Sequence, residues 1–411
     1  MNKLPAGWEI KKLKDICTIQ DGIHKTPKYT SKGIKFVSVE NINDLYNSNK
    51  FISEEDYNKM YKIKAKKNDI FMTRIGDIGT PAILNKDEKL AYYVTLCLFT
   101  NIDEEVFNKY LYYAIQSNYF KKELYHRTLH VAFPKKINLG DIGDCKFILP
   151  PLDEQKRIAS ALSKIDAYLE NTIKLIEEKE RFKRGIAKKL LTCKEGENIP
   201  EARFKGFEDE WKEYNLSKIG VSYNGLRNKK ANSFVENCNA KYITYKSVYD
   251  KNKIDINRLG NVSIGKNENQ NLVKYGDIFF TISSETPDEV AISSVLLDEV
   301  ENTYLNSFCF GFRFDFNILL PEFARYYFRS DYIRKSTYRL AQGITRYNIS
   351  KKKFLDIIIY LPSLEEQEKI GGYLSLLDAE IDNLKKQKEL IKEMKRGAMQ
   401  KLLSGEVRLL E

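Results

Sequence analysis

The 411-residue chain carries 68 Lys and Arg against 57 Asp and Glu, a formal charge of +11 and a pI of about 9.0. Its length predicts two or three domains, and a content of 42% hydrophobic and 12% aromatic residues excludes a disordered chain. The basic balance favours a polyanionic partner, most simply nucleic acid.

The opening MNKLPAGWEIKKLKDIC lacks the apolar core of a signal peptide, and no window reaches the roughly eighteen apolar residues of a membrane span. No membrane association is expected. The six cysteines (17, 97, 145, 193, 238 and 309) form no CxxC pair. In a chain of this size, that pattern predicts reduced thiols and a cytoplasmic location.

Residues 1–149 read as a first globule. LPAGWEIKKLKDI offers a Trp anchor and a short helical pattern, followed by a turn at Asp21-Gly22. IKFVSV (34–39), DIFMTRI (69–75) and AYYVTLCLF (91–99) are β-branched and aromatic runs bounded by turn residues, and predict strands. The spacing from Glu105 to Tyr119 predicts a helix, and KFILP (146–150) a closing strand. Residues 194–361 repeat the layout with little identity. KYITYKSV (241–248), YGDIFFTI (275–282) and FLDIIIYLP (354–362) predict strands, and PEFARYYFRSDY (321–332) a helix laid on FNKYLYYAIQSNY. In that alignment Tyr326, Ser330 and Tyr332 answer Tyr113, Ser117 and Tyr119.

After each globule comes a segment that is retained far better. Shifting the chain by 212 positions lays Pro150 on Pro362 and Thr192 on Ser404 without a gap, so the segment 150–193 recurs at the start of the segment 362–411. Leu152, Glu154, Gln155, Asp166, Lys183 and Arg184 meet Leu364, Glu366, Gln367, Asp378, Lys395 and Arg396. A repeat at fixed offset decides the architecture before any single element does. In each copy an acidic first turn precedes apolar residues at alternating four and three spacings. The seam holds Ile158, Leu162, Ile165, Leu169 and Ile176 in the first copy, and Ile370, Leu374, Leu377, Ile381 and Leu384 in the second. A mean period of 3.5 predicts a coiled-coil seam, broken by Lys179, Lys183, Lys388 and Lys395, on rods of roughly 60 Å. Such a rod needs its seam buried. The expected fold is therefore α+β, with two α/β globules separated by two long antiparallel helices in a pseudo-two-fold repeat.

The rods stayed alike while the globules diverged, as expected if the rods meet one kind of partner and each globule reads something different. The features LPAGWEIKKLKDI, LPPLDEQKRIASALSKIDA, YLPSLEEQEKIGGYLSLLDAEID and MKRGAMQKLLSGEVRL, with the Trp-bearing entry to the second globule, span essentially the whole chain. In these the sequence resembles the specificity subunit of a type I restriction-modification system. The resemblance implies two target-recognition domains, a central and a distal helix, and no catalysis by this chain. It further implies a split double-stranded DNA target, two modification (M) subunits and associated restriction (R) subunits. S-adenosylmethionine, ATP and magnesium are then expected in those partners, with methyl transfer to adenine N6.

Signals for chemistry within the chain are weak. Gly260, Gly265 and Lys266 fall at P-loop spacing, but Asn267 stands where a magnesium-binding Ser or Thr belongs, so a turn is expected. His126 and His130 lack the zincin glutamate and a third ligand, which favours a basic loop without metal. Asp77 and Asp288 have no nuclease partners at the right spacing, and no Asn-Pro-Pro-aromatic motif is present.

DNA readout requires Lys and Arg for phosphates and Arg, Lys, Asn or Gln for base edges. The first globule offers Lys25, Lys28 and Lys32 after the Gly22 turn, Arg74 after a strand, and Arg127, Lys135 and Lys136 in HRTLHVAFPKK. The second offers Arg227, Lys229 and Lys230, then Arg339, Gln342, Arg346, Tyr347, Asn348, Lys351 and Lys352 in RLAQGITRYNISKKK. Two other readings are a coiled-coil scaffold with only non-specific nucleic-acid binding, and a self-contained methyltransferase.

Overall fold

The computed structural model describes residues 4–194, 196–235 and 238–409. The chain divides into unit 1, Met1–Ile173 with Lys386–Glu411, and unit 2, Lys174–Lys385. Each unit therefore takes one globule and a part of both long helices.

In unit 1, β1 (Glu9–Lys12) pairs antiparallel with β9 (Lys146–Leu149), so the globule's two ends meet beside the helices. The body is built from two sheets. One has the order β2-β8-β5-β6, from Thr18–Asp21, Leu96–Thr100, Ile70–Ile75 and Asp77–Ile83. The other has the order β4-β3-β7, from Phe51–Ile52, Ile34–Val37 and Leu90–Tyr92, with β3 and β7 parallel. Helices α1 (Glu54–Met60), α2 (Asn108–Ile115), α3 (Asn118–Arg127) and α4 (Leu139–Gly143) complete it. Helix α5 (Leu152–Leu191) then begins, and its part in unit 1 ends at Ile173.

Unit 2 repeats the topology. Strand β10 (Lys212–Asn215) pairs with β20 (Ile358–Leu361), and α6 (Leu216–Ile219) follows β10. One sheet has the order β11-β18-β14-β16, from Gly220–Asn224, Cys309–Phe314, Ile278–Thr281 and Ser293–Val295. Another has the order β13-β12-β17, from Gly260–Val262, Ala240–Ile243 and Thr303–Leu305, with β12 and β17 parallel. A ribbon of β15 (Ser283–Ser284) and β19 (Tyr347–Asn348) is added. Helices α7 (Tyr245–Asp250), α8 (Pro321–Tyr327), α9 (Asp331–Tyr338) and α10 (Lys351–Leu355) precede α11 (Leu364–Ser404).

Several expected elements are redrawn. AYYVTLCLF is two strands in different sheets, parted by a turn in which Leu96 N–H donates to the Tyr93 carbonyl. KYITYKSV turns from strand to helix at Thr244, whose hydroxyl accepts from Ser247 N–H as an N-cap. The helix expected from Glu105 to Tyr119 breaks at Ser117, which caps α3 by accepting from Phe120 N–H. The helical opening of the first globule is β1 and a single 3₁₀ turn.

Within each unit the two long helices run antiparallel. In unit 2 Glu180 meets Lys385 while Lys183 meets Asp378, and in unit 1 Asp166 meets Lys395. Ile158, Leu162 and Ile165 share a core with Ala398, Met399, Leu402 and Leu403 in unit 1; Ile370, Leu374 and Leu377 share one with Ile186, Ala187, Leu190 and Leu191 in unit 2. Ile176 and Ile381 are also buried, whereas Leu169 and Leu384 are half-covered. Three of the four lysines that break the seam are paired with carboxylates of the facing helix: Lys179 with Glu380, Lys183 with Asp378 and Lys395 with Asp166.

The repeated Glu-Gln pair at each helix start fastens globule to helix. Buried Gln155 accepts from Phe107 N–H at 2.8 Å and donates to the carbonyls of Glu105 and Pro150. Gln367 does the same with Leu320 N–H and the carbonyls of Ile318 and Pro362. Glu154 takes Trp8 Nε1 at 2.9 Å and the Arg408 guanidinium, and Glu366 takes the Arg203 guanidinium through both oxygens. Burial raises the Asp378 pKa, but hydrogen bonds from Lys183 and Tyr326 outweigh it and hold the carboxyl below its ordinary value.

A carboxyl whose folded pKa is depressed contributes stability above its unfolded pKa of about 3.9, and that stability is lost as pH falls through the folded value. Unit 2 is therefore expected to lose urea resistance between pH 5 and pH 2. Asp378→Asn is expected to weaken it at pH 7 and to flatten that loss. A variant as steeply acid-sensitive as the parent would contradict the assignment.

Candidate nucleic-acid interface

In unit 1 the basic loops are collected by Arg74, which lies at the end of β5 and is only 7% exposed. Its Nε donates to the Ile137 carbonyl at 3.1 Å, and Nη1 donates to the Val94 carbonyl at 3.0 Å and reaches Asp21 Oδ2 at 3.5 Å. Asp21 begins the segment carrying Lys25, Lys28 and Lys32, and Ile137 ends the loop carrying Lys135 and Lys136. Arg74 is thus corrected from a DNA contact to an internal brace, since its side chain is nearly buried and both Nε and Nη1 are held by protein acceptors. Lys25, Lys28, Lys32, Lys135 and Lys136 are exposed. Arg127 is turned back onto α3, paired with Glu123 at 2.9 Å and donating to its carbonyl.

The loop itself is anchored at its base. Leu129 N–H donates to the Lys136 carbonyl, Gly76 N–H to the Lys135 carbonyl and Ile137 N–H to the Arg74 carbonyl. His130 lies beyond the end of α3 with its ring on the Tyr125 carbonyl, and no metal cluster exists among the described residues. Residues 265–268 form a turn in which Glu268 N–H donates to the Gly265 carbonyl.

In unit 2 the brace is Lys351. Its Nζ bonds Asn224 Oδ1 at the end of β11, tying the segment that carries Arg227 to the one that follows β19. Partial burial, with Arg227 nearby, lowers the Lys351 pKa. Lys229 also drops out of the free set, because its side chain is 6% exposed and its ammonium is held by Glu268 and the Ser263 carbonyl. Arg227, Lys230, Arg339, Gln342, Arg346, Asn348 and Lys352 are exposed, and Tyr347 is half-buried. Gln342 and Asn348 exchange both backbone hydrogen bonds, which closes Gly343–Arg346 into a tight hairpin tip. A cavity of unit 2 away from these loops mixes Lys183, Arg325 and Arg329 with Asp250, Asp378 and Asp382.

Two features escaped the sequence reading. Each unit carries a Tyr-Asp-Lys node between globule and helices. Tyr113 Oη donates to Asp166 at 2.7 Å and Tyr326 Oη to Asp378 at 2.6 Å, each aspartate also holding its seam lysine. The helix segments also leave apolar side chains uncovered: Tyr168, Leu390 and Met394 in unit 1, and Leu175, Phe182 and Leu376 in unit 2.

Two topologically equal α/β units, each completed by paired stretches of the same two helices and each presenting anchored basic loops, define a class of internally duplicated α/β proteins built on two shared helices. The family model described as the type I restriction modification DNA specificity domain matches residues 5–178 and again 208–393, and the chain belongs to that family. The chain is 27% identical over 433 residues to the MjaVIII type I restriction enzyme specificity subunit of Methanocaldococcus jannaschii, covering 99% of this chain and 94% of that one. The putative MjaX specificity subunit of the same organism is 26% identical, covering 100% and 96%.

Among solved structures, the fold resembles the type I S subunit from M. genitalium (TM-score 0.56, 17% identity, 98% and 97% covered). It also resembles a chain from a study of type I system assembly and conformational transition (TM-score 0.60, 15% identity, 99% and 100% covered). Specificity subunits are non-catalytic, and this chain is one of them. No helix among the described residues is long and apolar enough to cross a membrane.

Arg74→Ala is expected to cost unit 1 about 3 kcal/mol in urea unfolding, because buried carbonyls and Asp21 lose their donor. The double variant Lys135→Ala, Lys136→Ala should keep its stability while the slope of log K against log salt falls by about two. The opposite pattern would return Arg74 to the DNA surface.

Proposed function

We propose that this chain is the DNA-reading subunit of a type I complex, with the basic loops of unit 1 reading one half of a divided duplex target and those of unit 2 the other. One observation carries the reading. Two globules with little sequence in common place exposed basic loops at the same topological positions, after β2 or β11 and after α3 or α9. In unit 1 the brace that unites those loops is buried, so their geometry is set before any partner arrives.

The uncovered apolar residues of the helix segments supply docking surfaces for two modification subunits, because the helices are what both halves share. Those partners would bind S-adenosylmethionine and methylate adenine N6, and restriction subunits would use ATP and magnesium. This chain's own residues bind and orient the duplex. The half-targets would be centred about one helical turn apart, roughly 34 Å. Arg346, exposed at the hairpin tip of unit 2, is assigned a base edge; Lys352 and Lys230 suit phosphates.

Co-expression with a modification subunit followed by sequencing for N6-methyladenine is expected to give a two-part motif with a fixed gap. Arg346→Ala should relax one base in one part, at a cost of about 1–3 kcal/mol in binding. A continuous motif would refute the divided target. DNA binding that depends steeply on salt without any preferred sequence would leave only a scaffold.

A further inference from the structure

Both hairpin loops end in apolar side chains that nothing in their own unit covers. Val131 and Phe133 are 99% and 104% exposed in unit 1, and Ile344 is 92% exposed in unit 2. No other large apolar side chain among the described residues exceeds 67%. Scattered exposed apolar residues are ordinary. Here the three greatest exposures fall at corresponding tips of two globules whose loop sequences, HVAFPKK and QGITRYN, share nothing at that point.

The tips are held rather than loose. In unit 1 the Leu129–Lys136 bond closes the loop base, bonds at Lys135 and Ile137 tie it to Gly76 and Arg74 at the end of β5, and Ala132 N–H donates to the Leu129 carbonyl within the tip. In unit 2 the Gln342–Asn348 pair closes the hairpin, and Ile349 N–H donates to the Ile282 carbonyl beside the β15–β19 ribbon. Gly343 sits at φ +144°, where an added Cβ would lie 2.0 Å from the Arg346 carbonyl oxygen, so this turn requires glycine. Cations adjoin each apolar point in sequence, Lys135 and Lys136 in one unit and Arg346 in the other.

An apolar point on a fixed stem with cations at its base fits a duplex. Lys135 and Lys136 meet phosphates, Arg346 keeps its base edge, and the point enters between base pairs, as apolar wedges do in proteins that unstack a step. We propose that Phe133 and Ile344 are such wedges, each opening one base step beside its half-target. This rests on the reading above, that these loops face DNA. Specificity at the opened step would come from the ease of unstacking, which favours a pyrimidine–purine step that no side chain reads directly.

The test uses the full chain with its modification subunits and the duplex found by methylation mapping, with 2-aminopurine placed at successive positions. The parent complex should brighten at one step beside each half-target, apart from any methylated adenine. Phe133→Ala should abolish only the first signal and Ile344→Ala only the second, with Phe133→Leu retaining part of its signal. Phe133→Ala should also weaken specific binding roughly tenfold to a hundredfold, the effect of removing one base-stacking ring. Unchanged fluorescence in Phe133→Ala, with the parent still binding its motif, would overturn the wedge alone. A parent complex that binds no sequence preferentially would overturn the DNA-reading function and the wedge with it. Lost assembly with the modification subunit in size-exclusion chromatography, at unchanged fluorescence, would make Phe133 a protein contact and overturn the proposal.

Discussion

Everything in this molecule hangs on two aspartates in equivalent places. Asp166 and Asp378 each accept a tyrosine hydroxyl from a globule and hold a lysine of the facing long helix. A coiled-coil seam with lysines in it loses stability unless those charges are answered, and an answered charge fixes register. Because the same carboxylate also binds the globule, helix register and globule orientation are set by one group in each unit. Arg325 adds a second cation to the node of unit 2, at 3.0 Å from Asp378.

The Glu-Gln pairs extend this logic to the helix starts. Gln155 and Gln367 each satisfy three backbone groups where a globule meets a helix, which a longer or charged side chain could not do with both a donor and an acceptor. Glu154 and Glu366 each receive an arginine from the chain that follows a long helix, Arg408 and Arg203 respectively. Unit 1 is therefore closed by the segment that follows α11 and unit 2 by the segment that follows α5. These shared contacts explain why the helices and their exits are the parts retained between the halves.

Much of this was legible in the sequence, because a repeat and a period survive without any contact being known. The offset that aligned Pro150 with Pro362 also aligned Asp166 with Asp378 and Lys183 with Lys395, and the globule alignment matched Tyr113 with Tyr326. The node they build was not legible. Each tyrosine lies some fifty residues from its aspartate, and Lys183 and Lys395 read only as seam defects. Strand runs failed where tertiary pairing decides: AYYVTLCLF has no turn residue to show that its halves serve different sheets. Candidate cations divided by burial, which composition does not report, so Arg74 and Lys229 looked like Lys25 and Arg227. The exposed tips had one faint signal, an apolar triplet set between His130 and Pro134 in an otherwise polar loop.

Independence of the two readers is the central claim, and exchanging one globule tests it most directly. Residues 212–361 would be replaced by the corresponding segment of a relative that methylates a different motif, keeping α5, α11, Arg203 and Arg408. The account predicts that one half of the methylated motif changes to the donor's and the other half stays. A motif altered in both halves, or unaltered in either, would contradict it.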